Sequence, residues 1–465
     1  FRLLAHNGEI NAIRGNRNWV KARASKFSSP LIPDIDKFSS LVNETGSDSS
    51  ALDNMVELLV KGGINFFRAI RMVLPPAWQN IHTMDPEIRA FHEYNSMHME
   101  AWDGPAGIVM SDGQWAICVL DRNGLRPARY QVLNNGMICV ASETGIYPTD
   151  EDEVLQKGRL SPGGIFAVNT ETGEVLDQRI IDDQLKQKKP YREWLKKSAI
   201  YLESTLDAFE GPSIKKMPHN DLIKSSKLFS LFNEERVSVI KPLALEGIEG
   251  TGSMGNDSPL AVLSDRNKSI YSYFKQLFAQ VTNPPVDPIR EEIVMSLISY
   301  VGPKPNLLGV DYETVFKRLE LSQPILDFED YDSLVNISKL SQGAFDSEII
   351  DITFPVDEGP SGLERALSTI AKRAERAVQN GKTILILCDK GVDSARAAIP
   401  ALLATSSVHH HLVRNGLRTK TGLVVSTGSA REVHHFALLA GYGAEAVHPW
   451  LTMETLAAVT AGSNQ

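Results

Sequence analysis

The chain changes its hydrophobic rhythm along its length, and the later rhythm constrains the fold most. In the last third, strand-like 348–354 precedes a helical stretch over 363–379, and the apolar run 383–388 precedes another over 394–414 that Pro400 interrupts. Strands that are apolar on both faces and alternate with helices are typical of βαβ units, whose crossover helices cover a parallel sheet. The sequence therefore predicts an α/β domain with a parallel sheet, and a barrel is one form that this sheet could take.

Two Asn-Gly turns interrupt the apolar runs in the first part of the chain. The Asn123-Gly124 turn stands between 114–120 and 126–133, and a second turn at 134–136 leads into a further apolar run. An Asn-Gly pair between apolar runs favours a β-hairpin, because a type I′ turn needs positive φ at both central residues. We therefore expect an antiparallel meander in this region.

Apolar residues at helical spacing flank this meander over 50–61 and 65–74, which predicts a layered α+β domain.

From 184 to 209 the sequence becomes charged and helical until a Gly-Pro pair ends the pattern. Such a change of composition is typical of a junction between domains. We therefore expect one domain over 1–205 and a second over 206–465.

Composition narrows the classes of partner. The 465 residues include 48 basic and 57 acidic side chains, for a net charge of −9, and neither sign forms a long run. This balance argues against a nucleic-acid or anionic-membrane surface and favours small molecules or proteins as partners. Cys118, Cys139 and Cys388 have no CxxC spacing, so we expect reduced thiols in a cytosol-like compartment and no metal centre. No apolar run approaches the roughly 20 residues that span a bilayer.

The dipeptide Asn7-Gly8 directly follows a short apolar run at the start of the chain. An Asn amide and a Gly N–H that point the same way form an oxyanion hole, because both are donors and Gly lets the backbone approach a tetrahedral intermediate closely. The alternative is an ordinary turn between a strand and a helix, which the dipeptide alone does not exclude.

A second candidate is Asp48, which stands among small residues in the stretch ETGSDSS, just before a helical pattern. Asp48 or Ser49 could cap this helix by accepting hydrogen bonds from its free N–H groups. The carboxylate of Asp48 could equally hold the α-ammonium group of a substrate. Both readings stay open on the sequence.

Several motifs together resemble one family. The segments AHNGEINAIRGNRNW, ETGSDSSALDN and LDRNGLRPARY, in this order, resemble the amidotransferase domain of the glutamate synthase large-chain family. GTGSMGNDSPLAVLS and FAQVTNPPVDPIRE resemble the central domain of the same family, so that the resemblance covers nearly the whole chain. It implies a class II amidotransferase with the αββα sandwich of an N-terminal nucleophile (Ntn) hydrolase, followed by the α/β central domain.

The resemblance implies roles for particular residues. Asn7 and Gly8 would form the oxyanion hole, and Asp48, with Gly46 and Ser47 beside it, would bind the amino group of glutamine. The family's nucleophile is an N-terminal Cys that lies upstream of the HNGEIN motif, and no Cys precedes Cys118 in this chain. We therefore expect the 465 residues to be part of a longer polypeptide, with negligible glutaminase activity on their own.

The resemblance also implies an ammonia channel and cofactors. Thr282, Asn283 and Pro284 would lie along the passage by which ammonia leaves the glutaminase site. FMN and an iron-sulfur cluster would belong to a domain that follows the central domain, and none of them to this chain. Expected partners are glutamine, that FMN domain, and either an NAD(P)H-dependent flavoprotein small subunit or domain, or ferredoxin. The family's location is the cytoplasm, or a plastid in a plant or alga.

Two local patterns invite other readings. Residues 250–255 satisfy G-x-G-x-x-G, but Pro259 blocks the helix that a dinucleotide site needs after the loop. The histidines at 409–411 and 434–435 lack the spacing of metal ligands, so we expect no metal site there.

Two alternatives to glutamate synthase remain on the sequence alone. The chain could belong to another class II amidotransferase, such as an amidophosphoribosyltransferase or an asparagine synthetase, that shares only the first domain. It could also be a scaffold that retains the fold without catalysis.

Overall fold

The computed structural model describes residues 2–38, 40–204, 217–250, 261–263, 265, 268–275, 285–308 and 317–463. The chain divides into two compact units. The first comprises Phe1–Ala199, Pro284–Ser296 and Pro305–Phe316, and the second comprises Ile200–Asn283, Leu297–Lys304 and Lys317–Gln465. The domain limits expected from the sequence, 1–205 and 206–465, stay a prediction.

The first unit contains two antiparallel sheets and seven named helices among its described residues. Its strands are β1 (Leu4–Gly8), β2 (Ala106–Ser111), β3 (Trp115–Leu120), β4 (Arg129–Leu133), β5 (Ile138–Ala141), β6 (Val154–Arg159), β7 (Ile165–Asn169) and β8 (Val175–Leu176). Its helices are α1 (Ile13–Arg23), α2 (Asp48–Lys61), α3 (Phe66–Val73), α4 (Pro86–His98), α5 (Gln178–Gln187), α6 (Tyr191–Ser198) and, later in the chain, α10 (Pro288–Val294).

One sheet has the strand order β1-β2-β3-β7-β8 and the other the order β5-β4-β6. The two sheets contact each other through side chains. The ring of Tyr130 on β4 stacks on that of Phe166 on β7, with 4.7 Å between centroids, and the buried Cys118 on β3 packs with Ala128 and Val140. The layered α+β architecture that the sequence predicts is therefore present in the first unit.

The Asn123-Gly124 turn does not form the predicted hairpin. β3 pairs with β2 and β7, whereas β4 pairs with β5 and β6, so that this turn carries the chain from one sheet to the other. The Asp121 carboxylate accepts hydrogen bonds from the N–H groups of Asn123 and Gly124, at 2.9 and 3.1 Å, and so closes the turn locally. Pro127 follows and has no N–H to donate to a ladder. The turn at 134–136 does form a hairpin, between β4 and β5.

The charged stretch over 184–209 is not one helix. α5 ends at Gln187, α6 begins at Tyr191 after Pro190, and β9 (Ala199–Leu202) follows directly. Pro190 cannot continue the hydrogen bonding of a helix interior, which explains the break. The rest of the stretch, from 205, lies outside the described residues.

The remaining elements complete the chain. The strands are β10 (Ser299–Val301), β11 (Arg318–Leu321), β12 (Ser347–Asp351), β13 (Thr353–Pro355), β14 (Ile384–Cys388), β15 (Arg396–Ala398), β16 (Gly422–Ser426) and β17 (Ala446–His448). The helices are α7 (His219–Leu228), α8 (Asn233–Glu235), α9 (Lys241–Glu246), α11 (Phe328–Val335), α12 (Ile337–Leu340), α13 (Gly359–Gln379), α14 (Ala401–Arg414), α15 (Val433–Gly441) and α16 (Trp450–Ser463).

The predicted parallel sheet is confirmed. Its order is β12-β14-β16-β17, and each neighbouring pair is parallel. Leu385 and Leu387 pack with residues of α13 and α14, whereas Ile384 and Ile386 pack with β11 and α11. Both faces of the sheet are therefore buried, which accounts for its nearly continuous apolar strands.

The helix predicted over 394–414 is shorter in the structure. Pro400 stands directly before α14, and β15 occupies part of the predicted range.

A buried carboxyl group ties the end of this sheet together. Asp389 follows β14 and is 1% exposed. It accepts hydrogen bonds from Thr427 Oγ1 at 2.6 Å, Gly428 N at 3.1 Å and Trp450 Nε1 at 2.8 Å. Burial raises the pKa of Asp389 to about 6, although these hydrogen bonds favour the charged form.

No helix among the described residues is long and apolar enough to cross a membrane.

We expect this raised pKa to make stability depend on pH. A carboxyl group with a higher pKa in the folded state than in the unfolded state costs stability as the pH rises through that interval. Replacing Asp389 with Asn removes this cost, so the free energy of unfolding of D389N should rise relative to the parent by up to about 3 kcal/mol between roughly pH 4 and 6, and level off above. Urea unfolding of both proteins from pH 4 to 7.5 measures it. A pH-independent difference would contradict the prediction.

Candidate active site

The candidate site lies at the end of β1. Gly8 is the last residue of this strand and has φ +150°, a conformation that residues with a side chain rarely adopt. A Cβ atom added to Gly8 would lie 1.8 Å from the carbonyl oxygen of Pro105. The carbonyl group of Pro105, just before β2, approaches so closely that only glycine fits here.

The register of β1 determines where the N–H of Gly8 points. Ser111 N donates to Leu3 O at 2.8 Å, and hydrogen-bonded and non-hydrogen-bonded pairs alternate along an antiparallel ladder. Asn7 and Gly107 are therefore a hydrogen-bonded pair, whereas Gly8 and Ala106 are not. The N–H of Gly8 consequently points away from β2 and is not used in that ladder.

Helix α2 holds both ends of β1 with two carboxylates. Asp53 accepts hydrogen bonds from the N–H groups of Leu3 and Leu4 at 2.8 and 3.0 Å, before the strand and at its first residue. Asp48 Oδ2 accepts from the N–H of Ile10 at 2.7 Å, two residues after Gly8. The structure therefore brings Asp48 to the chain segment that carries Asn7 and Gly8. Sequence reasoning did not identify Asp53.

The sequence left open that Asp48 or Ser49 is the N-cap of α2. In the structure the N-cap is instead Ser47, whose side chain accepts a hydrogen bond from Ser50 N at 3.1 Å. Asp48 is the first residue of the helix, and its side chain is 20% exposed. Burial acts to raise its pKa, but hydrogen bonds from Ile10 N and Ser49 N and the nearby His6 outweigh burial and lower the pKa. The carboxylate is thus charged at neutral pH and partly open to solvent.

The loop before α2 is fixed by Arg17 of α1. Its Nη2 donates to the carbonyl oxygens of Gly46 at 2.6 Å and Ser47 at 3.1 Å, and its Nε donates to that of Asn43 at 2.9 Å. Gly46 N in turn donates to Asn43 Oδ1. Gly46 and Ser47, both predicted to line the substrate site, are held beside Asp48 by their backbone atoms. The role of Arg17 was not predicted.

His6 links the two parts of the site. Its Nδ1 lies 3.0 Å from Ser49 Oγ and 3.8 Å from Asp48 Oδ2. Burial lowers the pKa of His6, although Asp48 acts in the opposite direction. The ring is therefore neutral at physiological pH. It joins the residue before Asn7 to the start of α2, a contact that separation along the chain hides from sequence analysis.

A cavity of about 250 Å³ opens beside Asn7, between the two sheets. Its walls include His6 and Asn7 of β1, Gly107 of β2, Cys118 of β3 and Arg126. Arg126 stands just after the Asn123-Gly124 turn and lines this cavity. Arg122, just before the same turn, instead donates to Asp103 Oδ2 at 2.6 Å.

The chain's cysteines are poor candidates for a nucleophile or a cluster. Burial raises the pKa of Cys118 to about 11, so its thiol stays protonated at neutral pH although it lines the cavity. Cys118 and Cys139 belong to the first unit and Cys388 to the second, and all three are free thiols. An iron-sulfur cluster needs about four thiolates in one place, so these residues do not fit one.

The other residues considered in the sequence analysis lie outside the candidate site or outside the described residues. Thr282, Asn283 and Pro284 lie outside the described residues, as do residues 251–255 of the glycine-rich motif. His411 pairs with Glu375, with 2.7 Å between Nε2 and Oε2, and the ring of His435 stacks on that of Tyr271. Within the described part of the chain, no three His, Cys, Asp or Glu side chains are grouped to hold a metal ion.

The close contact at Gly8 leads to a matched pair of substitutions. Gly8→Ala should lower the free energy of unfolding by more than about 2 kcal/mol, because the new methyl group meets Pro105 O and φ is strained. Gly15→Ala, in α1 with nothing within 4 Å of the added Cβ, should instead raise it by about 0.5–1 kcal/mol. Denaturant unfolding measures both. Equal effects of the two substitutions would contradict the geometry.

Two family models match successive parts of the chain. Residues 1–194 match the family model of the class-II glutamine amidotransferases, and residues 224–465 match that of the glutamate synthase central domain. The second match alone covers more than half of the chain.

Three curated relatives each align with 98% of the chain. Glutamate synthase [NADH] of Saccharomyces cerevisiae is 41% identical over 469 residues, which are 21% of its length. Glutamate synthase [NADPH] large chain of Bacillus subtilis is 41% identical, with 29% of its length covered. Ferredoxin-dependent glutamate synthase, chloroplastic, of Oryza sativa subsp. japonica is 38% identical, with 28% covered. The chain thus spans less than a third of these relatives, and it belongs to the glutamate synthase family, with a class-II glutamine amidotransferase domain ahead of a glutamate synthase central domain.

Proposed function

We propose that this chain supplies the glutamine-binding and oxyanion-stabilising part of a glutamate synthase. In that reaction glutamine is hydrolysed to glutamate and ammonia. The ammonia condenses with 2-oxoglutarate, and reduction of the condensation product gives a second glutamate. The observation that carries the proposal is the attachment of Asp48 to the strand end that bears Asn7 and Gly8, by the hydrogen bond from Ile10 N at 2.7 Å. A carboxylate for the substrate's ammonium and donors for its amide oxygen are thus parts of one rigid unit.

In the proposed site, Asp48 binds the α-ammonium group of glutamine. Its lowered pKa keeps it charged, and its partial exposure leaves room for the ligand. The N–H of Gly8 and the side-chain amide of Asn7 donate to the oxygen of the γ-carbonyl as it becomes negative. These hydrogen bonds lower the barriers to formation and to breakdown of the tetrahedral intermediate. His6 and Arg17 position these groups without contacting the substrate.

The nucleophile in this proposal is a Cys outside these 465 residues. Cys118 is protonated at neutral pH because of its burial, and a thiol is a weak nucleophile until it is ionised. A thiolate adding to the γ-carbonyl expels ammonia and leaves a thioester, which water then hydrolyses. The chain itself contributes substrate binding and oxyanion stabilisation to both steps.

The finer features of the fold are part of the proposal. The two packed sheets and the helices beside them support an αββα sandwich of the Ntn-hydrolase kind in the first unit. The sequential order of the parallel strands in the second unit is compatible with a barrel-like sheet. Thr282, Asn283 and Pro284 are proposed to line the ammonia passage on the strength of the family resemblance.

Cofactors and protein partners follow from relatives rather than from this chain's residues. FMN and an iron-sulfur cluster are proposed for another domain of the complete polypeptide, which would supply the reduction, since the three thiols here do not fit a cluster. The proposed electron donor is an NAD(P)H-dependent flavoprotein subunit or domain, or ferredoxin. Relatives whose names specify NADH, NADPH or ferredoxin all match the chain, and the flavoprotein is what the family resemblance implies. The proposed location is the cytoplasm, or a plastid for a plant or algal source.

Asn7→Ala in the full-length enzyme tests the oxyanion role. Loss of one donor to the developing oxyanion should lower kcat for glutamine hydrolysis by roughly 10²–10³-fold, with a smaller effect on KM. Asn18→Ala, at an exposed position of α1, is the matched control and should leave kcat unchanged. Steady-state release of glutamate from glutamine measures both. A kcat within a factor of two of the parent would refute the assignment.

Asp48→Asn tests the binding role separately. Asparagine keeps the size of the side chain but loses the charge that pairs with an ammonium group, so KM for glutamine should rise at least about tenfold. Asp177→Asn, which alters the capping residue of α5, is the control and should leave KM unaltered. Thermal unfolding of both variants checks that the fold is retained. An unchanged KM in folded D48N would remove Asp48 from the substrate site.

A further inference from the structure

The carboxylate of Asp48 is nearly saturated with hydrogen bonds. A carboxylate offers about four lone-pair positions. Asp48 Oδ1 accepts from Ser49 N at 2.7 Å and from Ser49 Oγ at 3.2 Å, and Oδ2 accepts from Ile10 N at 2.7 Å. No other donor bonds to this carboxylate among the described residues, so the remaining position is on Oδ2. In the proposed site, this is the position that the ammonium group of glutamine occupies.

His6 stands beside the same oxygen atom. Its Nδ1 lies 3.8 Å from Asp48 Oδ2 and 3.0 Å from Ser49 Oγ, and its side chain is fully buried. Because the Ser49 hydroxyl proton is donated to Asp48, this hydroxyl accepts a hydrogen bond from the Nδ1–H of His6. A charge on a buried ring acts at this distance with little screening by solvent. A protonated His6 would therefore place a positive charge next to the position of the ammonium group.

The groups that face the ring decide whether His6 takes up a proton. Asp48 of α2 and, more weakly, Asp121 after β3 favour the protonated ring, as does the carbonyl group of Pro105. Arg126, which lines the same cavity, opposes protonation. Arg126 has no ion pair or hydrogen bond with the described residues, so no carboxylate offsets its charge. Burial is the largest influence, and together with Arg126 it holds the pKa of His6 below its ordinary value of 6.5.

A bound ammonium group and a protonated His6 would both be attracted to Asp48 Oδ2 and would repel each other. By thermodynamic linkage, each must weaken the binding of the other by the same factor. We infer that His6 and glutamine compete for Asp48, so that proton uptake by the ring excludes the substrate and substrate binding expels the proton. The inference rests on the proposed function, because it takes Asp48 as the ligand of the ammonium group. It adds that the site admits glutamine only while His6 is neutral.

This competition makes binding depend on pH in one direction. Above the pKa of His6 the ring is neutral and Asp48 is available, so binding does not change with pH. Below that pKa each ligand must displace a proton, and the dissociation constant rises by up to about tenfold per pH unit. Asp48 itself does not cause this rise, because hydrogen bonds from Ile10 N and Ser49 N outweigh burial and hold its own pKa below 3.8.

The test uses L-glutamate, which carries the same ammonium group as glutamine, as a competitive inhibitor of glutamine hydrolysis by the full-length enzyme. Ammonia release is followed from about pH 5 to 8 without 2-oxoglutarate or reductant. The inhibition constant is an equilibrium constant for the glutaminase site, so changes of kcat with pH do not enter it. We expect this constant to be level above pH 6.5, the ordinary pKa of a histidine, and to rise as the pH falls below the pKa of His6.

His6→Asn removes the titrating ring. Asparagine places its Nδ2 near the position of the histidine Nδ1, so it can donate to Ser49 Oγ but cannot take up a proton. The inhibition constant of H6N should stay level over the whole pH range, and at the acidic end H6N should bind L-glutamate more tightly than the parent. A role confined to packing predicts weaker binding at every pH. His82→Asn, at an exposed position before α4, is the matched control and should keep the profile of the parent.

Arg126→Gln tests the same competition from an exposed position, and so it remains informative if H6N does not fold. Loss of the charge that opposes protonation should make the rise begin at a higher pH than in the parent. Arg129→Gln, which alters an exposed arginine of β4 that is not among the charges acting on His6, should leave the profile unchanged. Thermal unfolding shows which variants are folded.

Two outcomes would overturn the inference. The first is a parallel pH profile in the parent and in folded H6N, since His6 would then not be the group that titrates. The second is a profile of folded R126Q that coincides with that of the parent. The proposed function is judged separately: a raised KM in D48N together with either outcome would overturn this inference alone, whereas an unchanged KM in D48N would remove both.

Discussion

The attachment of β1 to α2 by two carboxylates underlies the arrangement of the candidate active site. Asp53 takes the N–H groups where β1 begins, and Asp48 takes the N–H of Ile10 just beyond its end. The strand is thereby fixed along its axis relative to the helix. Because Asn7 and Gly8 lie between these two anchors, their position relative to Asp48 is set by hydrogen bonds from backbone N–H groups to the two carboxylates of α2. The site is consequently preorganised within one pair of elements.

Much of the fold follows from local sequence patterns. The parallel sheet was predictable because each strand is apolar on both faces and a helix follows it, and the hairpin at 134–136 follows from its turn residues. The Asn123-Gly124 turn has the same local signal but joins two sheets. Its conformation depends on Asp121, which closes the turn on itself, and on the pairing of β3 with β7, whose paired residues are 46 to 54 positions apart in the sequence. Local turn chemistry gives no information on such pairings.

The candidate site divides in the same way. Asn7, Gly8 and Asp48 carry chemistry that a motif records, and the family resemblance gave them roles. A motif could not identify the supporting residues His6, Arg17 and Asp53. Each of them acts through a contact with a residue between 26 and 51 positions away in the sequence. What a sequence pattern omits here is mainly the set of residues that support others.

The two carboxylates of α2 have a further effect on the edge of the sheet. Unpaired N–H groups on an edge strand invite pairing with a strand of another molecule, which is a common route to aggregation. At both ends of β1 such donors are instead occupied by charged oxygen atoms, and an incoming strand would have to displace them and bring its own carbonyl groups against negative charge. The contacts that hold the candidate site in place thus also protect this edge of the sheet from self-association.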